Sequence, residues 1–125
     1  MRLAGAPLIA FLATVDAARA RVFYETTLGL KLVEDSPFAV VFDANGTLLR
    51  IQKVERFTPH PFTSLGWSVD DIAATIRDLA RKGVAVTRYP GMDHDADGVW
   101  TSPSGARIAW FKDPDGNLLS LTEFG

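Results

Sequence analysis

The sequence predicts an α+β fold of two tandem βαβββ units whose mixed sheets curve around a shared cavity. Three observations carry that prediction: an internal repeat, a pair of matching hairpins, and a composition suited to one compact domain. The repeat lies in "VDAARARVFYETTLGLKL", from Val15, and "VDDIAATIRDLARKGVAV", from Val69; the Val-Asp pairs coincide and Gly29 falls on Gly83. The hairpins are "DANG" at 43–46 and "DPDG" at 113–116, and aligning Gly46 with Gly116 sets Leu48 on Leu118, Leu49 on Leu119 and Ile51 on Leu121. A chain of 125 residues, 47% of them hydrophobic, can bury one real core.

Each half is expected to run strand, helix and three strands. The first strand, "IAFLATVD", ends at Asp16, which caps a helix whose apolar stripe is Ala20, Phe23, Thr27 and Leu28. Gly29 stops that helix, "LKLVED" follows as a strand, and "FAVVFDANGTLLRIQKV" forms a hairpin. In the second half "SLGWSVDD" leads into a helix with the stripe Ile72, Ile76, Leu79 and Ala80. Then come Gly83, the strand "VAVTRY" and the hairpin "ARIAWFKDPDGNLLSLTEF". A single unit is too small to bury both its helix and the far side of its sheet, so two copies side by side are expected within one domain, 1–125. The first repeat spans 7–54 and the second 62–124. The second carries about one extra long loop, "YPGMDHDADGVWTSPSG" at 89–105, which reads as a functional insertion.

The totals exclude several classes. Thirteen Lys and Arg against fifteen Asp and Glu give a net charge of −2, and the basic residues are scattered, which speaks against nucleic acid as a partner. No run approaches a membrane span, and the apolar stretch "LAGAPLIAFLATV" contains Pro7 and leads into a helix start, unlike a signal peptide. With no cysteine there are no disulfides or thiolate sites, and a cytoplasmic location is expected.

The carboxylates near the end raise the question of a metal. In "DPDG" proline presets one backbone angle and glycine accepts positive φ, so Asp113 and Asp115 read as turn formers. Glu123 points to the opposite strand face and reads as a partner for groups near the helix. Asp93 to Gly98 match the opening of a calcium loop, D-x-D-x-D-G, but Ser104 stands where that loop needs Glu, so an exposed acidic loop containing His94 is expected. His60, between prolines, reads as a solvated loop residue.

"VFYETTLGLKL" and "FKDPDGNLLSLTEF" together resemble the first-helix and terminal-hairpin signatures of the vicinal oxygen chelate superfamily, which includes glyoxalase I, extradiol dioxygenases and bleomycin-resistance proteins. The resemblance covers essentially the whole chain and implies the glyoxalase/bleomycin-resistance-like fold. It also implies metal-ligand positions on the first and last strands of each half. Here these are Ile9 and Arg50, then Ser64 and Ser120, none of them the usual His, Gln or Glu, so no metal and no other cofactor is expected.

Strand alternation places Ile9, Phe11, Ala13, Leu48, Arg50 and Gln52 on the cavity side of the first half, and Ser64, Gly66, Ser68, Leu118, Ser120 and Thr122 on that of the second. The candidate ligand-binding residues are Phe11, Leu48, Arg50, Gln52, Ser64, Trp100, Ser120 and Thr122. Arg50 favours an anionic or carbonyl-bearing ligand, unless Glu25, Glu34 or Asp43 pairs with it. Trp100, Trp110, Phe38, Tyr89 and Trp67 are candidates for a stacking wall; the core is the competing place for Trp67, Trp110 and Phe111. The expected function is binding of a small organic molecule, an antibiotic or metabolite, as bleomycin-resistance proteins do. The alternative is a glyoxalase- or dioxygenase-like enzyme acting on a small carbonyl or aromatic substrate, with non-standard metal ligands or none. The resemblance also implies a homodimer.

Overall fold

The computed structural model describes residues 2–125. The chain divides into two compact units, the first ending at Thr58 and the second beginning at Pro59. In the first, β1 (Ile9–Thr14), α1 (Ala17–Val22), a π-helical turn (Phe23–Thr27), β2 (Lys31–Asp35), β3 (Ala39–Ala44) and β4 (Thr47–Lys53) build one sheet of order β1-β4-β3-β2. β1 and β4 run parallel, and the remaining pairs are antiparallel.

Local chemistry accounts for these elements. The Asp16 carboxylate accepts the Arg19 N–H at 3.2 Å and starts α1. The expected stripe of Ala20, Phe23, Thr27 and Leu28 is altered by the π turn, in which the Leu28 N–H reaches the Phe23 carbonyl at 2.9 Å. The wider turn brings two consecutive rings inward. Phe23 and Tyr24 are both buried, their centroids 5.1 Å apart, and Tyr24 lies 5.9 Å from Phe42, whereas Thr27 and Leu28 are only half-buried. Between β3 and β4, Asn45 and Gly46 both have positive φ, 51° and 93°, as a two-residue type I′ hairpin requires. The Asp43 side chain accepts the Gly46 N–H at 2.8 Å and holds this turn.

The second unit repeats the plan with β5 (Leu65–Ser68), α2 (Ile72–Arg81), β6 (Trp100–Thr101), β7 (Arg107–Lys112) and β8 (Leu118–Glu123), in the order β5-β8-β7-β6. Asp71 caps α2 through the Ala74 N–H at 3.0 Å. At the other end the Val84 N–H bonds the Leu79 carbonyl and the Gly83 N–H the Ala80 carbonyl, with Gly83 at φ 86°, a Schellman stop. Ile72, Ile76 and Leu79 are buried; Ala80, expected beside them, is exposed.

One expected strand is absent. Residues 84–89 make only an isolated bridge, Thr87 to Trp110, and the edge strand of this sheet is instead β6, inside the predicted loop. Were the edge strand continuous from Thr87, residue 89 would oppose Ile108; Trp100 does so. The segment between them is an insertion within one edge strand, where proline and glycine at 90 and 91 cannot continue a ladder.

The terminal carboxylates are structural. Buried Asp113 accepts the N–H groups of Asp115 and Asn117 through Oδ1, at 3.0 and 2.9 Å, and the Asn117 side-chain amide through Oδ2 at 2.8 Å. Glu123 accepts the Ile72 N–H at 3.0 Å and lies 3.6 Å from the Arg107 guanidinium, tying β8 to the start of α2.

Candidate functional site

In each sheet one face packs under the helix and the other is free of it. In the first unit the helix-free face carries three cross-strand rows: Ile9, Leu48 and Asp43; Phe11, Arg50 and Val41; Ala13, Gln52 and Ala39. Phe11 and Leu48 are 54% and 39% exposed, large for apolar side chains in the middle of a sheet. Arg50 sits half-buried between Phe11 and Val41. Among the described residues no carboxylate lies within 4.0 Å of it. The acids expected to pair with it are elsewhere or engaged: Glu25 lies 3.4 Å from Arg21, Asp43 holds its turn, and Glu34 opposes Val41 one strand further on.

In the second unit the corresponding rows are Gly66, Ser120 and Trp110, then Ser68, Thr122, Ile108 and Trp100. Ser64 precedes β5, its N–H donating to the Leu118 carbonyl at 2.9 Å. Trp67 and Phe111 take the helix side and stack at 6.2 Å, Phe111 fully buried in the core and Trp67 half-buried. Trp110 does not join them. It occupies the helix-free face, its indole N–H donating to Thr63 Oγ1 at 3.1 Å.

Around Trp110 gather three more rings. Centroid distances from Trp110 are 5.6 Å to Tyr89, 6.4 Å to His94 and 6.2 Å to Trp100, the first two in edge-on arrangements. His94 is fixed by two backbone bonds. Its Nε2 accepts the Tyr89 N–H at 3.0 Å, which leaves the proton on Nδ1, where it donates to the Gly98 carbonyl at 2.8 Å. The loop behind these rings is held by Arg88, which donates to the carbonyls of Asp95 and Ala96 at 3.1 and 2.9 Å.

Asp95 Oδ1 accepts the N–H groups of Asp97 and Val99, both at 2.9 Å. The Val99 hydrogen bond, aided by that of Asp97 and the charge of Arg107, holds its carboxyl below the usual range against the opposing effect of burial. Asp97 lies 3.5 Å from Arg77. The acids of "DHDADG" thus organise the loop rather than converge on a point. The sequence reading placed His94 in an exposed loop. In the structure it is half-buried in the aromatic cluster, and the available signal was the spacing of Tyr89, His94 and Trp100 along one insertion. Phe38, another stacking candidate, is 74% exposed, and His60, read as a solvated loop residue, is exposed and stacks on Phe62 at 4.7 Å.

Ser120 has a distinct environment. It is 9% exposed, and among the described residues no protein group hydrogen-bonds its hydroxyl. Gly66 opposite leaves the space that hydroxyl occupies, since a Cβ there would overlap Ser120 Oγ.

The residues at the positions implied for a metal do not fit one. The first unit offers an alkyl group at Ile9 and a fixed cation at Arg50; the second offers two neutral hydroxyls, Ser64 and Ser120. Among the described residues no three His, Asp or Glu side chains come together as a metal group.

Comparison with known proteins agrees with this architecture. A member of the Glyoxalase/bleomycin resistance protein/dioxygenase superfamily from Sphaerobacter thermophilus superposes with a TM-score of 0.75 at 26% identity, covering 94% of this chain and 95% of its own. An antibiotic-binding protein from a Streptomyces species gives 0.73 at 25% identity, covering 95% of each chain. A lactoylglutathione lyase from Agrobacterium tumefaciens shares the fold, with a TM-score of 0.72 at 19% identity, over 95% of this chain and 93% of its own. No curated protein matches the sequence. The family profile covers residues 7–121, and the chain belongs to the Glyoxalase/Bleomycin resistance protein/Dioxygenase superfamily.

Proposed function

We propose that this chain binds a planar small organic molecule, an antibiotic or metabolite, by stacking on the Trp100 and Trp110 rings, and does so without a metal ion. The observation that carries the reading is the position of Trp110 on the helix-free face, beside Trp100 and clear of the helix-side rings Trp67 and Phe111. Aromatic pairs stabilise a complex by about 0.5–1.5 kcal/mol beyond area burial, enough to prefer a flat ligand over a puckered one. The antibiotic-binding neighbour supports the class of ligand. Within the first unit Phe11, Leu48, Arg50 and Gln52 form a separate ligand-contacting face suited to an anionic group; within the second, Ser64, Ser120 and Thr122 accompany the rings.

Calorimetric titration with 2-methylnaphthalene and with decalin tests this reading. The flat probe is expected to bind about tenfold tighter, a preference that Trp110→Leu removes. Equal affinities would overturn it. Stoichiometric nickel, zinc, manganese or iron in protein purified without added metal would overturn its metal-free part. We extend the proposal to a homodimer on the family resemblance, and a monomer in sedimentation at micromolar concentration would refute that extension.

A further inference from the structure

We propose that the helix-free face of the second unit selects aromatic molecules that carry oxygen substituents along one edge, through a stripe of hydroxyls formed by Ser68, Ser120 and Thr122. This rests on the ring-binding reading above and specifies what the ring carries. The face is divided lengthwise. On β5 and β8 stand Ser68, Ser120 and Thr122; on β7 and β6, in the same rows, stand Trp110, Ile108 and Trp100. Polarity therefore changes across one strand spacing, roughly 4.8 Å.

Ser120 is the centre of the stripe. The residue is 9% exposed, and its hydroxyl, beside the Trp110 position, meets no protein partner among the described residues and keeps an opening to solvent, since no sealed side-chain oxygen there lacks a partner. A hydroxyl open on this side has a free donor and acceptor to offer, and an oxygen at the edge of a ring lying on Trp110 would take the place of solvent there. Gly66 is part of the arrangement, because any larger residue would displace the hydroxyl. Thr122 stands two residues along the same strand, so its side chain lies about 7 Å from that of Ser120, a spacing that a fused two-ring system spans. Ser68 opposes Thr122. No hydrogen bond within the described residues engages either of these hydroxyls. Both rows lack charged side chains; Lys112, in the neighbouring row with Leu118, is exposed. Neutral donors and acceptors suit phenol and carbonyl oxygens.

The test compares 2-naphthol with 2-methylnaphthalene, which have the same shape and differ by hydroxyl against methyl, titrated calorimetrically into the full chain. 2-Naphthol is expected to bind about tenfold tighter. That ratio should fall to about one in Ser120→Ala, whose near-ultraviolet circular dichroism reports whether the fold is kept, and fall partway in Thr122→Val. Should Ser120→Ala not fold, the ratio in Thr122→Val decides alone. Equal binding of the two probes to the wild type, or a ratio unchanged in the folded variants, would overturn the hydroxyl stripe and leave the ring reading standing. Binding of neither probe would overturn both.

Discussion

His94 accepts the backbone N–H of Tyr89 through Nε2 at 3.0 Å, so the imidazole is a splint for the loop as well as one wall of its aromatic cluster. Removing it in His94→Ala deletes two hydrogen bonds, each with a net worth of about 1 kcal/mol. The Tyr89 amide should exchange with solvent at least tenfold faster in that variant, while amides of β3 and β8 keep their protection. Nitrogen shifts of the wild-type ring should report the Nδ1–H tautomer. Unchanged Tyr89 exchange would assign His94 no part in ordering the loop.

Asp95 makes the same loop sensitive to acid. Its folded carboxyl is held below its ordinary value of 3.8, chiefly by the Val99 N–H. A depressed carboxylate contributes stability that is fully present above the unfolded value and lost as pH falls through the folded one. Loosening of the loop should therefore be confined to pH below 3.8, and hydrogen exchange of the Val99 amide would show it. Asp95→Asn keeps an oxygen for both N–H bonds and should abolish that pH dependence.

Glu123 joins the last strand to the first turn of α2 by accepting the Ile72 N–H. Glu123→Ala should lower stability by about 1–2 kcal/mol in urea unfolding, through loss of the cap and of the Arg107 contact. Glu123→Gln keeps the acceptor and should cost less than half as much. Equal losses for the two substitutions would locate the effect in charge instead.

Arg50 lies half-buried between Phe11 and Val41 without an ion-pair partner among the described residues. Arg50→Ala should leave stability within about 0.5 kcal/mol of the wild type, since no native pair is broken. It should weaken binding of 2-naphthoate to the helix-free face of the first unit at least tenfold. Unchanged 2-naphthoate affinity in calorimetry would remove Arg50 from the binding face.

What was legible in the sequence had a local cause. Asp16 as a cap, Gly29 and Gly83 as stops, and Asn45-Gly46 as a hairpin turn each depend on neighbours a few residues away, and each appears where residue chemistry places it. Strand alternation likewise put Ser120 and Arg50 on the faces they occupy. Misreadings arose where the decision is tertiary. "VAVTRY" has the β-branched composition of a strand, yet an edge position gives it one neighbour, and the chain leaves the ladder after Thr87. Trp110 is a stacking candidate for which the core competes, and alternation between Ala109 and Phe111, both buried, sends it to the other face. The tuck of Tyr24 beside Phe23 depends on a π turn that helical periodicity does not encode.

The broken edge strand makes the loop of residues 89–99 a cassette. Joining Arg88 directly to Trp100 would restore an unbroken register with Thr87 on Trp110 and Trp100 on Ile108, so the intervening segment can change length and content without moving any other strand. Tyr89 and His94 travel with the cassette; Trp110 and Ser120 stay with the frame. The aromatic wall can therefore be exchanged piecewise, one half by replacing a loop and the other half by single substitutions in β7 and β8.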